Sequence, residues 1–403
     1  MVRVWTRARV LAVLSACAVA SLLACNAIIG TRDLAYDADA AGGDEHDAGN
    51  DASKSGDSSS PDGGSACPGA DLTMNPKNCG ACGHDCMGGA CTASKCQPVK
   101  LFGGAVAAYG IAVDATNLYF TDINGGAVYT MAKNAAAPST ATKIADTADP
   151  LVYDIVADGK GVFFSWGSGA SGGKGSLETI SSDGGNRRAL MEDASVPRGL
   201  SLDNINVYFA LTYLSPVQVG GVARSASGAG PTILSANEPN TDVTFVSGAY
   251  LYWGGESKSS VRFCATAAGG CGPTLKDFVT GLNASEALGG NSNNVFISGF
   301  DILYQAAKGG TTATGVALMQ PQVYSIAADD KDVYWLDLGT NDASFKDGSV
   351  RHCAVDANGA LQCAVANGEI IATSDQNPRV LVMDQTAVYW TVQGEGAVYR
   401  LAR

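Results

Sequence analysis

Leu118-Tyr119-Phe120-Thr121 opens a series that continues as Val162-Phe163-Phe164-Ser165, Val207-Tyr208-Phe209-Ala210, Leu251-Tyr252-Trp253-Gly254, Val295-Phe296-Ile297-Ser298, Val333-Tyr334-Trp335-Leu336 and Val388-Tyr389-Trp390-Thr391. The steps between motifs are 44, 45, 44, 44, 38 and 55 residues. Aliphatic and aromatic residues of this kind favour a pleated, buried strand, and a fixed period of this size marks one supersecondary unit copied along the chain. Four positions before each motif stands a short polar residue: Asp114, Asp158, Asp203, Ser247, Asn291, Asp329 and Asp384. Such side chains fold an oxygen onto the backbone two residues on and so reverse the chain. Runs such as Ile111-Ala112-Val113 and Val380-Leu381-Val382 lie just before the turn, so each unit opens with a hairpin.

A third strand follows in Ala127-Val128-Tyr129, Val222-Ala223-Arg224, Val261-Arg262-Phe263, Val350-Arg351-His352 and Ala397-Val398-Tyr399. A fourth follows in Thr142-Lys143-Ile144, Thr232-Ile233-Leu234, Asp277-Phe278-Val279 and Ile370-Ile371-Ala372. Four short strands per unit of this length are the blade of a β-propeller. The seventh unit has only three strands, and Val99-Lys100-Leu101-Phe102-Gly103 stands unpaired ahead of the first. Pairing the two closes the ring and leaves no free sheet edge. The expectation is an all-β chain whose residues 97–403 form a seven-bladed propeller closed by an N-terminal strand.

Composition agrees. Hydrophobic residues make up 46% and charged residues 16%, with 50 glycines, which suits short strands and tight turns. A net charge of -13 opposes attraction to nucleic acid or to an anionic membrane surface.

Ahead of the ring, Arg3, Arg7 and Arg9 precede the apolar run Val10 to Leu23, the layout of a secretory signal and too short for a bilayer span. Leu22-Leu23-Ala24-Cys25 resembles the bacterial lipobox. That resemblance implies a signal peptide over 1–24, cleavage before Cys25, and a diacylglyceryl group on Cys25 as the one covalent addition, with no other cofactor. Leu14-Ser15-Ala16-Cys17 fits the same pattern but leaves an apolar region of only Val10 to Ala16. Asn26, standing where an aspartate would mark inner-membrane retention, implies the outer membrane or the cell surface. Residues 25–66 carry the anchor and then a linker. Between Thr31 and Ala66 nine Asp or Glu face only Arg32 and Lys54, and the scarcity of large apolar residues predicts disorder.

Six cysteines follow within 67–96: Cys67, Cys79, Cys82, Cys86, Cys91 and Cys96. In an exported chain this density reads as three disulfides of open connectivity. A zinc site of Cys79, Cys82, Cys86 and His84 is the alternative, disfavoured where thiols are oxidised. Two more pairs, Cys264 with Cys271 and Cys353 with Cys363, are placed to join the third and fourth strands of their blades.

Tyr119-Phe120-Thr121-Asp122 and Tyr389-Trp390-Thr391 resemble the YWTD propellers of the lipoprotein-receptor type. The resemblance implies a propeller that binds proteins. Propellers of that family have six blades, against seven motifs here, and the aspartate after the motif recurs only as Asp122 and Asp337.

Catalytic motifs are missing. The propeller region holds one histidine, His352, in an expected outer strand, and no phosphate loop or histidine cluster occurs. The expected function is therefore a binding scaffold for a protein or glycan at the cell envelope. A metal-dependent hydrolase or lyase of the lactonase-like type, working with carboxylates around one ion, is the alternative. Unequal loops on one face of a repeat fold mark its binding face. Three are unequal here: Ser165 to Lys174 with Trp166, Leu211 to Val219 with Tyr213, and Leu336 to Gly348 with Asp337, Asp342, Phe345 and Asp347.

Overall fold

The computed structural model describes residues 67 and 69–403, apart from 169–173, 194, 256–258, 267–270, 283–284, 319–321, 341–344, 364–366 and 375. The signal, Cys25 and the linker thus lie outside the described residues, as does Asp342.

Seven antiparallel sheets form in chain order. Blade one comprises Ala108–Val113, Asn117–Asp122, Ala127–Ala132 and Thr142–Asp146, and the same order repeats up to blade six. Blade seven takes Pro378–Met383, Ala387–Val392 and Ala397–Ala402 from the tail and Val99–Gly103 from the front. In that pairing Val99 faces Arg400, Lys100 faces Tyr399, and Gly103 faces Ala397. The first strand of every blade touches the first strand of the next, and Pro378–Met383 returns to touch Ala108–Val113. The ring is closed, as the sequence predicts.

The turns form as the side chains dictate. Asp114 Oδ1 accepts from the backbone N–H of Thr116 at 2.8 Å and of Asn117 at 2.7 Å, and Asp203, Asn291, Asp329 and Asp384 do the same in their blades. The motif aromatics fill the spaces between sheets: Tyr119, Phe120, Phe164, Phe209, Tyr252, Trp253, Phe296, Trp335 and Tyr389 are all buried. Alternate residues of a strand face opposite sides of its sheet, so each motif supplies packing to both neighbouring blades.

The repeat also builds a lock. The motif tyrosine lies five residues after the turn aspartate and donates its hydroxyl to that residue's second carboxylate oxygen, from Tyr119 to Asp114 at 2.8 Å, Tyr208 to Asp203 at 2.7 Å and Tyr389 to Asp384 at 3.4 Å. A cation standing just after the third strand of the following blade also reaches this carboxylate in three places. Lys133 pairs with Asp384 at 2.8 Å, Arg224 with Asp158 at 2.6 Å, and Arg403 with Asp329 at 2.7 Å. The turn residue thus pins one blade to the next.

The cysteine-rich segment folds on three disulfides, Cys67–Cys82, Cys79–Cys91 and Cys86–Cys96. The thiols named for zinc are all spent in these bonds. Its hairpin, Cys91–Thr92 with Lys95–Cys96, turns through Ala93 and Ser94 at φ of 50° and 64°, the left-handed pair that matches strand twist. The segment rests on blade seven, where buried Arg400 donates to the carbonyls of Met87 and, at 2.8 Å, of Lys133.

Both propeller disulfides form, with Cα–Cα distances of 5.0 Å for Cys264–Cys271 and 4.7 Å for Cys353–Cys363. Their placement differs from expectation. Cys271 precedes the 3-10 turn Gly272–Thr274, and Cys363 follows the two-residue strand Leu361–Gln362. Each bond therefore closes the connection between third and fourth strands rather than joining the strands themselves.

Candidate functional site

Five residues before each turn residue, in the first strand of its blade or just ahead of it, stand Tyr109, Tyr153, Arg198, Asp242, Glu286, Tyr324 and Arg379, one from each blade in order. The register puts this set around one mouth of the central channel. A cavity of about 250 Å³ opens there, lined by Tyr109, Asp154, Arg198, Asp242, Glu286 and Tyr324. Motif hydroxyls of the preceding blade hold two ring positions by the backbone: Thr391 donates to the Tyr109 carbonyl at 2.5 Å, and Thr121 to the Tyr153 carbonyl at 2.9 Å.

Arg198 organises the mouth. Its Nε donates to Asp154 Oδ2 at 3.2 Å, its Nη2 to the Tyr109 hydroxyl at 3.1 Å, and its guanidinium lies 4.3 Å from the centre of the Tyr153 ring. The hydroxyls of Tyr109 and Tyr324 meet at 3.0 Å across blade seven. Arg379 stacks on both of these rings, at 5.6 and 5.3 Å, and its Nε donates to Gln393 Oε1 at 2.6 Å. Burial, and then the neighbouring Tyr109, push the Tyr324 phenol well above its ordinary value, so it stays a neutral hydroxyl. Beside its carboxylates such a surface offers planar cations and aromatic faces, the residue types that anchor protein interfaces.

Strain gathers around the same mouth. Tyr213, Gln322, Phe345 and Asn377 have φ of 64°, 55°, 59° and 63°, and left-handed backbone in bulky residues persists only where the surroundings enforce it. Tyr213 is 41% exposed and stands beside Tyr153, whose phenol is raised above its ordinary value by burial and then by Tyr213. Phe345 accepts from the Asn377 N–H at 3.2 Å, and the Asn377 side chain donates to Gln393, the partner of Arg379.

Tyr213 thus reaches the mouth directly and Phe345 reaches it through Asn377. Asp347 is exposed and accepts from the Thr340 N–H at 2.6 Å, closing its own loop. Two expected loop residues are not loop residues. Trp166 belongs to the strand Gly161–Gly167 and donates Nε1 to Glu178 at 2.6 Å. Asp337 ends the strand Asp332–Asp337 with a fully buried side chain, where Arg351 Nε donates to Oδ2 at 2.5 Å. Burial there lifts its carboxyl to about 6 against the pull of Arg351. His352 lies half-buried in the third strand of blade six, 4.6 Å from the Tyr334 ring centre and with Nε2 at 2.7 Å from Asp332. No ring residue was among the expected binding residues, although a constant offset from the turn residue marks all seven.

Among the described residues, the only three His, Cys, Asp or Glu groups with ligand atoms close enough to share an ion are Cys79, Cys86 and Cys96, all in disulfides. Asp154, Asp242 and Glu286 line one cavity without forming such a cluster.

No family model and no curated protein matches the chain. Solved structures do. A streptogramin B lyase aligns with 11% identity and a TM-score of 0.58 over 76% of this chain and 97% of its own. A catalytically inactive virginiamycin B lyase from Staphylococcus aureus, solved with quinupristin, gives 11% and 0.56 over 74% and 95%. The WD40 propeller domain of Doa1 gives 10% and 0.52 over 74% and 92%. The likeness is one of fold, and it places the chain among the β-propellers. Its own ring of seven blades sets it apart from the six-bladed YWTD count.

Proposed function

We propose that this chain is an exported lipoprotein, held by a diacylglyceryl group on Cys25 at the outer membrane or cell surface, whose propeller is a scaffold that binds a protein partner. The observation that carries this reading is the ring of Tyr109, Tyr153, Arg198, Asp242, Glu286, Tyr324 and Arg379 at one mouth, edged by exposed Tyr213. Arginine and tyrosine with part of their surface already ordered lose little entropy on docking. The YWTD-like motif agrees with a protein-binding propeller, and the lipobox-like Cys25 with an envelope address.

The test uses the full chain in its native membrane, crosslinked and recovered with its partner. Arg379→Gln and Tyr213→Ala should each lower recovery of the same partner by about tenfold or more. Undiminished recovery with both would remove the mouth as the docking face. Mass spectrometry of the mature N-terminus checks the anchor, with a lipid-modified Cys25 expected, and Cys25→Ser should release the protein from the membrane.

A further inference from the structure

The lock described above is incomplete in blade four. Its turn residue is Ser247, so no carboxylate stands where Asp114, Asp203 and Asp384 stand in other blades. The two groups that would meet that carboxylate are nevertheless present. Tyr252 occupies the position of Tyr119, Tyr208 and Tyr389, and Lys308, directly after the third strand Ile302–Ala307 of blade five, occupies that of Lys133, Arg224 and Arg403. Lys308 makes no ion pair among the described residues. Its ammonium rests on the Asn291 carbonyl, while nearby Asp330 is engaged by the Ser292 N–H and hydroxyl at 2.7 and 2.6 Å. Lys308 is half-buried, and desolvation lowers its pKa against the opposing pull of Asp330.

A cleft of about 720 Å³ opens at this place, between the turns of blades four and five and on the face away from the polar mouth. Ser247, Tyr250, Tyr252, Phe263, Lys276 and Lys308 line it, and no carboxylate does, in a chain of net charge -13. Tyr250 is 44% exposed, and its ring meets Phe263 edge-on with centres 5.6 Å apart. The Cys264–Cys271 bond ties down the neighbouring connection, where Thr274 Oγ1 accepts from the Ala265 N–H at 3.2 Å.

We propose that this cleft binds an acidic sugar unit, whose carboxylate takes the place of the missing aspartate between Tyr252 and Lys308. The cleft is far larger than one carboxylate. Its remaining lining suits a pyranose, with exposed aromatic surface for the C–H face of the ring, the Ser247 and tyrosine hydroxyls for its hydroxyls, and Lys276 for a second charge. The inference is independent of the partner proposed for the mouth.

The test is calorimetric titration of the full chain with a galacturonate trisaccharide, a neutral galactose trisaccharide and a tri-glutamate peptide. The galacturonate should bind at least about tenfold more tightly than either of the others. Ser247→Asp supplies the absent carboxylate from the protein itself, so it should abolish binding while leaving the melting temperature equal or higher. Lys276→Gln and Tyr250→Ala, both at solvent-facing positions, should each weaken binding by about three- to tenfold. Equal affinity for the peptide would overturn the sugar assignment. Galacturonate binding that survives Ser247→Asp, or no binding by the wild type, would overturn the site.

Discussion

Blade seven and blade four invert one another. Blade seven is assembled from the two ends of the chain, the arrangement most exposed to opening, and every locking group is present there: Asp384, Tyr389 and Lys133 converge, while buried Arg400 ties the cysteine-rich segment to the strand Ala397–Ala402. Blade four is continuous in sequence and lacks the central carboxylate. The contrast teaches that the lock is not required in every blade. It is complete where closure must be enforced, and where continuity already holds the sheet its position is free for other use.

The largest effect expected is on the closed side. Arg400→Met strands the carbonyls of Met87, Lys133 and Ala135 without their donor, and should cost about 3 to 5 kcal/mol in denaturant unfolding. A loss under about 1 kcal/mol would show that the segment does not reinforce closure. Asp384→Asn should cost about 2 kcal/mol, since a half-buried carboxylate loses Lys133 and the Tyr389 hydroxyl together.

The pH dependence of that variant sharpens the point. Burial opposes ionisation of Asp384, but Lys133 and the turn N–H groups prevail and hold its pKa below the ordinary 3.8. A depressed carboxylate stabilises the fold above its unfolded value and loses that contribution as pH falls through the folded one. The difference in stability between wild type and Asp384→Asn should therefore persist from pH 7 to about 4 and shrink below it, as read by thermal melts across that range.

On the open side, Ser247→Asp should raise stability by about 1 kcal/mol by completing the lock. The smallest effect separates the two blades most directly. Tyr389→Phe should cost about 1 kcal/mol, whereas Tyr252→Phe, which removes a hydroxyl with no aspartate to meet, should stay within about 0.5 kcal/mol. Equal costs would dissolve the contrast.

Much of this was legible in the sequence. The seven motifs, the turn residues and the joining of Val99–Gly103 to Ala397–Ala402 follow from periodicity and from the need to cover a sheet edge. The cations of the lock were not, because Lys133, Arg224 and Arg403 act on the neighbouring blade, and no spacing within a unit reveals a contact between units. The mouth escaped for a different reason: its seven positions keep one register but change chemistry from Tyr109 to Arg198 to Asp242, so no repeated letter draws attention to them. Trp166 and Asp337 were misplaced because the second strands run beyond their four-residue motifs, carrying both side chains onto the sheet.

The bond from Arg400 to Met87 has a mechanical meaning. Any pull arriving along the chain ahead of Cys67 enters a cross-linked knot before it reaches Val99, and that knot is clamped to the last full-length strand of the ring. Tension is thereby spread over both partners of the seam instead of peeling one from the other, so a propeller sewn shut at its ends can hang from one of them.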